Sequence, residues 1–285
     1  MKKIIILILT FSSLQLMAQN KKAYAIFKSN GKKTTYKKML KAAIKSDLIF
    51  FGEEHDNVVA HWLQLELSKD LLKKSKKNLI LGAEMLETDN QEKVNDYLKG
   101  KIDYKILKKE ARLWPNFKTD YKPLLDFAKE NNKPFIATNI PRRYAKIVFR
   151  GGFNALDTLP EKDKQWIAPL PIQYDENLSQ YQKMLTMMDG HKGKNFPKAQ
   201  AIKDATMAYN ILKNRQSEYI FLHFNGSFHT NYHQGIVWYI RQKNPDLKIL
   251  TIDVETQENL KKLDKKHRGK ADFIIVTNKN IPRSY

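Results

Sequence analysis

Six short apolar runs, each separated from the next by enough chain for at least one helix, constrain this 285-residue sequence more than any other feature. They are Asp47 to Gly52, Asn78 to Glu84, Pro134 to Asn139, Tyr219 to Phe224, Leu247 to Val254 and Phe273 to Thr277. They are short and β-rich and recur between longer helical patterns, the alternation of an α/β sheet. Between the first two runs, Val58, Val59, Trp62, Leu63, Leu65, Leu67, Leu71 and Leu72 fit a core-facing helix, with Asp56 or Asn57 placed to cap it. Strand, helix and strand in that order favour parallel pairing through right-handed crossovers. The expected fold is therefore α/β, a central mostly parallel β-sheet flanked by helices. The interval 151–198 breaks the rhythm with Pro160, Pro169 and Pro171, followed by a helical pattern from Asp175 to Met188; it reads as a helical insertion or lid.

The polar residues fall where such a sheet would use them. The runs end in Gly52-Glu53-Glu54-His55-Asp56-Asn57, Gly82-Ala83-Glu84-Met85, Thr138-Asn139-Ile140-Pro141-Arg142 and Asn225-Gly226-Ser227-Phe228-His229. In an open α/β sheet the carboxyl ends of parallel strands form the ligand crevice. Glu53, Glu54, His55, Glu84, Arg142 and His229 are thus expected to converge, although the same residue types also cap helices and decorate loops. With no cysteine, the chain offers no disulfide, thiolate metal site or cysteine nucleophile.

At the N-terminus, Lys2 and Lys3 precede an apolar stretch from Ile4 to Met17, with Ala18 a suitable residue before a cleavage point. This predicts a signal peptide over 1–18 and an exported protein, periplasmic or secreted. The apolar run is shorter than the ~20 residues of a comfortable membrane span, so no transmembrane segment is expected after cleavage. An N-terminal extension would then occupy 19–44 and the α/β domain 45–285. Losing Lys2 and Lys3 takes the formal charge from +21 to +19, a field that favours anionic ligands and surfaces. The run Lys265-Lys266-His267-Arg268-Gly269-Lys270 reads as a solvated charged loop, able to attract nucleic acid or an anionic membrane. Without base-stacking aromatics or a recognisable motif, nucleic acid is not expected as a partner.

Gly-Glu-Glu-His-Asp-Asn at 52–57, with His61 and Gln64, resembles the opening motif of the ChaN-like haem-binding proteins of the wider Tiki/TraB superfamily. Further matches follow in order: Gly82-Ala83-Glu84-Met85 with Asn90-Gln91, Tyr121 to Ala128, Ala137 to Arg142, Ala199-Gln200 with Asp204 to Ala208, and Gly226 to His229. The resemblance spans roughly 45–240 and rests on the joint order of motifs. It implies an exported protein of haem or iron acquisition, with haem held partly at a homodimer interface, a tyrosine on the iron and outer-membrane uptake machinery as a partner. It also implies an alternative, because some relatives in the superfamily are metal-dependent proteases. Relatives are often lipoproteins; this chain has no cysteine to carry a lipid. Phe228 stands where relatives often place a small residue before the histidine.

A ferric porphyrin needs apolar walls, cations for its propionates and an oxygen or nitrogen ligand for its axial position. Around the insertion, Tyr174, Tyr181, Met184, Leu185, Met187, Met188 and His191 supply the first and last, and Lys183, Lys192 and Lys194 the second. Tyr181, His191 and Tyr121 are the candidate haem contacts, while Leu178, Tyr181, Leu185 and Met188 equally fit a core stripe at helical spacing. Under the hydrolase alternative, His55, Glu84 and His229 would hold a divalent metal ion, Glu54 would act as base and Arg142 would stabilise developing negative charge.

Overall fold

The computed structural model describes residues 22–187 and 193–285. The expected signal peptide and His191 lie outside the described residues. Along the chain, β1 (Tyr24–Lys28), β2 (Lys33–Thr34) and α1 (Tyr36–Ala43) lead to β3 (Leu48–Glu53), α2 (Val58–Lys74) and β4 (Asn78–Glu87). Helices α3 (Gln91–Leu98), α4 (Tyr104–Glu110), α5 (Phe117–Asp120) and α6 (Lys122–Glu130) precede β5 (Phe135–Asn139). Next come α7 (Arg142–Gly151), α8 (Glu161–Lys164), α9 (Ser179–Met187), α10 (Phe196–Asn214) and β6 (Tyr219–Gly226). The chain closes with α11 (Ile236–Lys243), β7 (Ile249–Gln257) and β8 (Phe273–Asn278).

All six apolar runs are strands of one eight-stranded sheet, ordered β2-β1-β8-β7-β3-β6-β4-β5. The run from β8 to β5 is parallel throughout. Its central strand, β3, is buried at every residue, which is why its sequence is apolar without alternation until Gly52 and Glu53. Helices cover both faces and bury two large apolar clusters, one under α2 and α6 and the other under α10 and α11.

The segment expected as an N-terminal extension joins this sheet. Strand β1 pairs antiparallel with β8, setting Ile26 opposite Ile275, and buries Ala25, Ile26 and Phe27. Strand β1 holds only three buried apolar residues, Ala25, Ile26 and Phe27, between Tyr24 and Lys28, and its pairing partner lies at the far end of the chain. The helix expected from Asp175 begins instead at Ser179, because Asp175 Oδ1 accepts from the Asn177 amide and holds the preceding residues in a turn. His267 corrects the reading of its loop as wholly solvated: it is buried, with Nδ1 3.0 Å from Glu255 Oε2, while Lys265, Lys266 and Arg268 around it face water.

Three features level the strand ends that make the site. Glu53 pairs with Gly226 and Ala83 with Phe224, so β3, β4 and β6 finish side by side. Past Ala83 the β4–β5 register shifts, and the irregularity carries Glu84 out of the flat ladder. Asn57 Oδ1 accepts from the Val59 and Ala60 amides at 3.2 and 3.1 Å, capping α2 as expected. The same side chain donates to Thr277 Oγ1 at 2.9 Å, tying the start of α2 to β8.

Candidate functional site

At these strand ends, walled by α9 and α10, lies a cavity of about 690 Å³. Glu53, His55, Glu84 and His229 form its polar floor, as the spacing of the strand ends predicts. Trp114, Met184, Met187, Phe196 and Phe228 give it apolar walls. Arg142, Lys183 and Lys203 stand on its lining, none paired with a carboxylate among the described residues. Lys183 Nζ lies 5.3 Å from the centre of the Phe228 ring, an interaction that keeps the ammonium at the wall.

The floor consists of two networks. In the first, Glu53 is fully enclosed and accepts at Oε1 from the Tyr121 hydroxyl at 2.6 Å and from His55 Nδ1 at 2.9 Å. Its Oε2 receives Gln64 and lies 3.3 Å from His61 Nδ1. Burial alone would raise the Glu53 pKa, but the two imidazoles outweigh it and hold the carboxyl down at about 2. The same contacts raise His55 and His61 against the desolvation that opposes their charge. His55 Nε2 has no hydrogen-bond partner among the described residues, and its ring lies against Gly226. About a third of the side chain, 32%, is exposed.

The second network runs from α10 to β4 through His229. Its Nδ1 bonds Asp204 Oδ1, and its Nε2 lies 3.1 Å from Glu84 Oε1. Glu84 Oε2 accepts from the Gly226 amide at 2.7 Å, and Asp204 Oδ2 accepts from the Tyr181 hydroxyl at 2.7 Å. Burial disfavours the imidazolium, yet the two flanking carboxylates raise His229 to about 9. Burial would likewise raise Glu84, but the charge and hydrogen bond of His229 hold it well below the usual carboxylate range. Asp204 stays above its ordinary value because burial exceeds what His229 and Tyr181 return. The Gln200 amide nitrogen is almost equidistant from both His229 ring nitrogens, at 3.0 and 3.1 Å, and so lies over the ring.

This geometry changes several assignments made from the sequence. Both ring nitrogens of His229 are already engaged by carboxylates, Nδ1 by Asp204 and Nε2 by Glu84. Among the described residues no three His, Asp or Glu side chains form a group able to hold a metal ion, so His55, Glu84 and His229 share a floor without making a metal centre. Glu54 is not a free base: Oε2 accepts from Arg283 Nη1 at 2.9 Å and from Asn57 and Thr256. Tyr121 and Tyr181 are buried, and each donates its hydroxyl to a carboxylate, Glu53 and Asp204 respectively. Neither offers a free oxygen to the cavity. Arg142 does reach the lining, exposed at the start of α7. Spacing could not assign Asp204 a role, although its signal was present: an aspartate among Ala201, Ile202, Ala205 and Ala208 on the apolar side of a helix.

Residues 39–240, more than half of the chain, match the family described as haem-binding uptake, Tiki superfamily, ChaN. The chain belongs to this ChaN family. Its fold agrees, for ChaN of Campylobacter jejuni, a protein that binds haem cofacially, superposes with a TM-score of 0.69 at 19% identity, over 90% of this chain and 98% of that one. A Bacillus cereus protein superposes at 0.51 with 12% identity, over 85% and 90% of the two chains. Both likenesses are of fold. The chloroplastic protein RETICULATA-RELATED 5 of Arabidopsis thaliana is 29% identical over 140 residues, 46% of this chain. The chain spans only 18% of that protein's length. Placing these ChaN strands, the family match also covers Glu53, Glu84, Asp204 and His229.

Proposed function

We propose that this ChaN-family chain is an exported protein of haem or iron acquisition that binds haem in the strand-end cavity and delivers it without covalent turnover. The supporting observation is the pairing, in one cavity, of aromatic and thioether walls with Arg142, Lys183 and Lys203, cations that lack carboxylate partners among the described residues. Apolar walls suit the faces of a porphyrin, and guanidinium and ammonium groups suit its propionates. Haem, when bound, would supply a redox-active iron. Of the lining groups, His55 is the one with a ring nitrogen available, its other nitrogen oriented by Glu53, an arrangement common to metal-binding histidines. The dimer and an outer-membrane partner belong to the same reading and come from the ChaN resemblance.

The test is a spectroscopic haemin titration. Saturable binding with a defined Soret band is expected, weakened about tenfold or more in a variant combining Arg142→Gln, Lys183→Gln and Lys203→Gln. Non-saturable partitioning would remove haem as the ligand. A second reading, hydrolysis on the same floor, draws support from two imidazoles each held by buried carboxylates beside one cavity. It predicts ester or peptide turnover abolished by Glu84→Gln, a change that leaves haemin affinity within about threefold under the first reading.

A further inference from the structure

Two segments far apart in sequence meet at the β2–β1 edge of the sheet. The hairpin after β1 carries Lys28, Lys32 and Lys33, all exposed. The loop before β8 carries Lys261, Lys262, Lys265, Lys266 and Arg268, also exposed. Backbone bonds join them: the Gly269 amide donates to Ser29 O at 3.0 Å, and the Ser29 amide to Asp272 O at 3.1 Å. Lys33 Nζ donates to Leu260 O at 3.2 Å. Beneath the loop, Leu263 is buried in one cluster with Phe27, and His267 is buried beside Glu255, while the intervening lysines are exposed. None of these cations has a salt-bridge partner among the described residues, and Asp264 is the one carboxylate between Leu260 and Arg268. Lysines on an edge strand discourage strand addition, but those at 261–266 lie on no strand.

We infer that this face docks the protein electrostatically on an anionic lipid surface. Seven of the eight cations are lysines, point charges on flexible stems that suit mobile headgroup phosphates, and neither segment, 28–33 or 261–268, contains a Phe, Tyr or Trp for stacking on bases. The patch lies outside the haem cavity and its docking does not depend on the haem reading.

Co-sedimentation of the purified protein with vesicles tests it, using phosphatidylcholine alone and phosphatidylcholine mixed with phosphatidylglycerol. Binding to the anionic vesicles only is expected, weakened at least about tenfold in the variant K261Q/K262Q/K265Q/K266Q. The control K99Q/K105Q/K108Q/K109Q removes equal charge from α4 and the turn before it, near the opposite sheet edge, and is expected to bind within about twofold of the parent. Equal loss in both variants would show that net charge alone acts and would overturn the patch. Absence of vesicle binding, or tighter binding to a single-stranded oligonucleotide at the same salt, would overturn the lipid partner.

Discussion

At the scale of single residues, the pairing of Asp204 with His229 decides the protonation of the floor. Asparagine at 204 keeps the shape and removes one of the two charges that raise His229. In Asp204→Asn the His229 pKa is expected to fall from about 9 toward its ordinary 6.5, read by nuclear magnetic resonance titration of the ring. An unchanged value would mean that Glu84 alone sustains the imidazolium. Breaking a buried pair while its other charge stays enclosed costs about 3 kcal/mol, so denaturant unfolding at neutral pH should register the same change. Sequence pointed to His229 and Glu84 because both stand at the ends of apolar runs. It did not pair them with Asp204, since that contact joins residues 25 positions apart across α10 and β6.

At the scale of elements, the close approach of β6 to the loop after β3 makes Gly226 a constraint on His55. Its backbone is an ordinary extended one, φ −60 and ψ 140, so space and not conformation selects glycine. A Cβ there would stand 2.7 Å from His55 Nε2 and 2.9 Å from Cε1, and the ring would have to leave its seat on Glu53. Gly226→Ala is therefore expected to cost about 1–3 kcal/mol in unfolding free energy and to lower the raised pKa of His55. Unaltered stability together with an unaltered His55 titration would show that the loop yields freely. The six long strands and the cap of α2 were legible because hydrophobic pattern and capping chemistry are local properties. Strand β1 was not, because its stability comes from pairing with β8 across most of the chain.

At the scale of the whole molecule, buried ionisable groups set where the fold is most stable. His229, His55 and His61 have raised pKa values, so their contribution is complete below about 6.5 and fades as pH rises, for His229 through about 9. Glu53 and Glu84 have lowered values, so theirs is complete above about 4.5 and fades in acid, for Glu53 through about 2. His223 works the other way on the acid side. Fully buried, it has Nδ1 3.0 Å from Asn225 Oδ1 and Nε2 2.8 Å from the Thr138 hydroxyl, contacts that a neutral ring satisfies. Burial lowers its pKa to about 4, so stability is lost as pH falls from 6.5 toward that value. The raised carboxyls of Asp204 and Asp253 lose stability with rising pH as His229 does, so unfolding free energy should be lower at pH 9 than at pH 6.5. A monotonic rise across that range in denaturant titrations would contradict the protonation states assigned to these histidines.

Sequence by itself determined the α/β class, the six apolar strands and the set of strand ends that carry ionisable side chains, because burial on two faces leaves a pattern that each segment displays alone. Order of motifs was enough to suggest the ChaN resemblance. Tertiary structure decided what each group does. Both candidate tyrosines point into carboxylates, Glu54 serves Arg283, His229 is a doubly engaged cation, and lysines from 28–33 and 261–268 form one face. Those outcomes depend on distances between residues far apart in the chain, and on the burial that converts such distances into charge states, neither of which any single segment encodes.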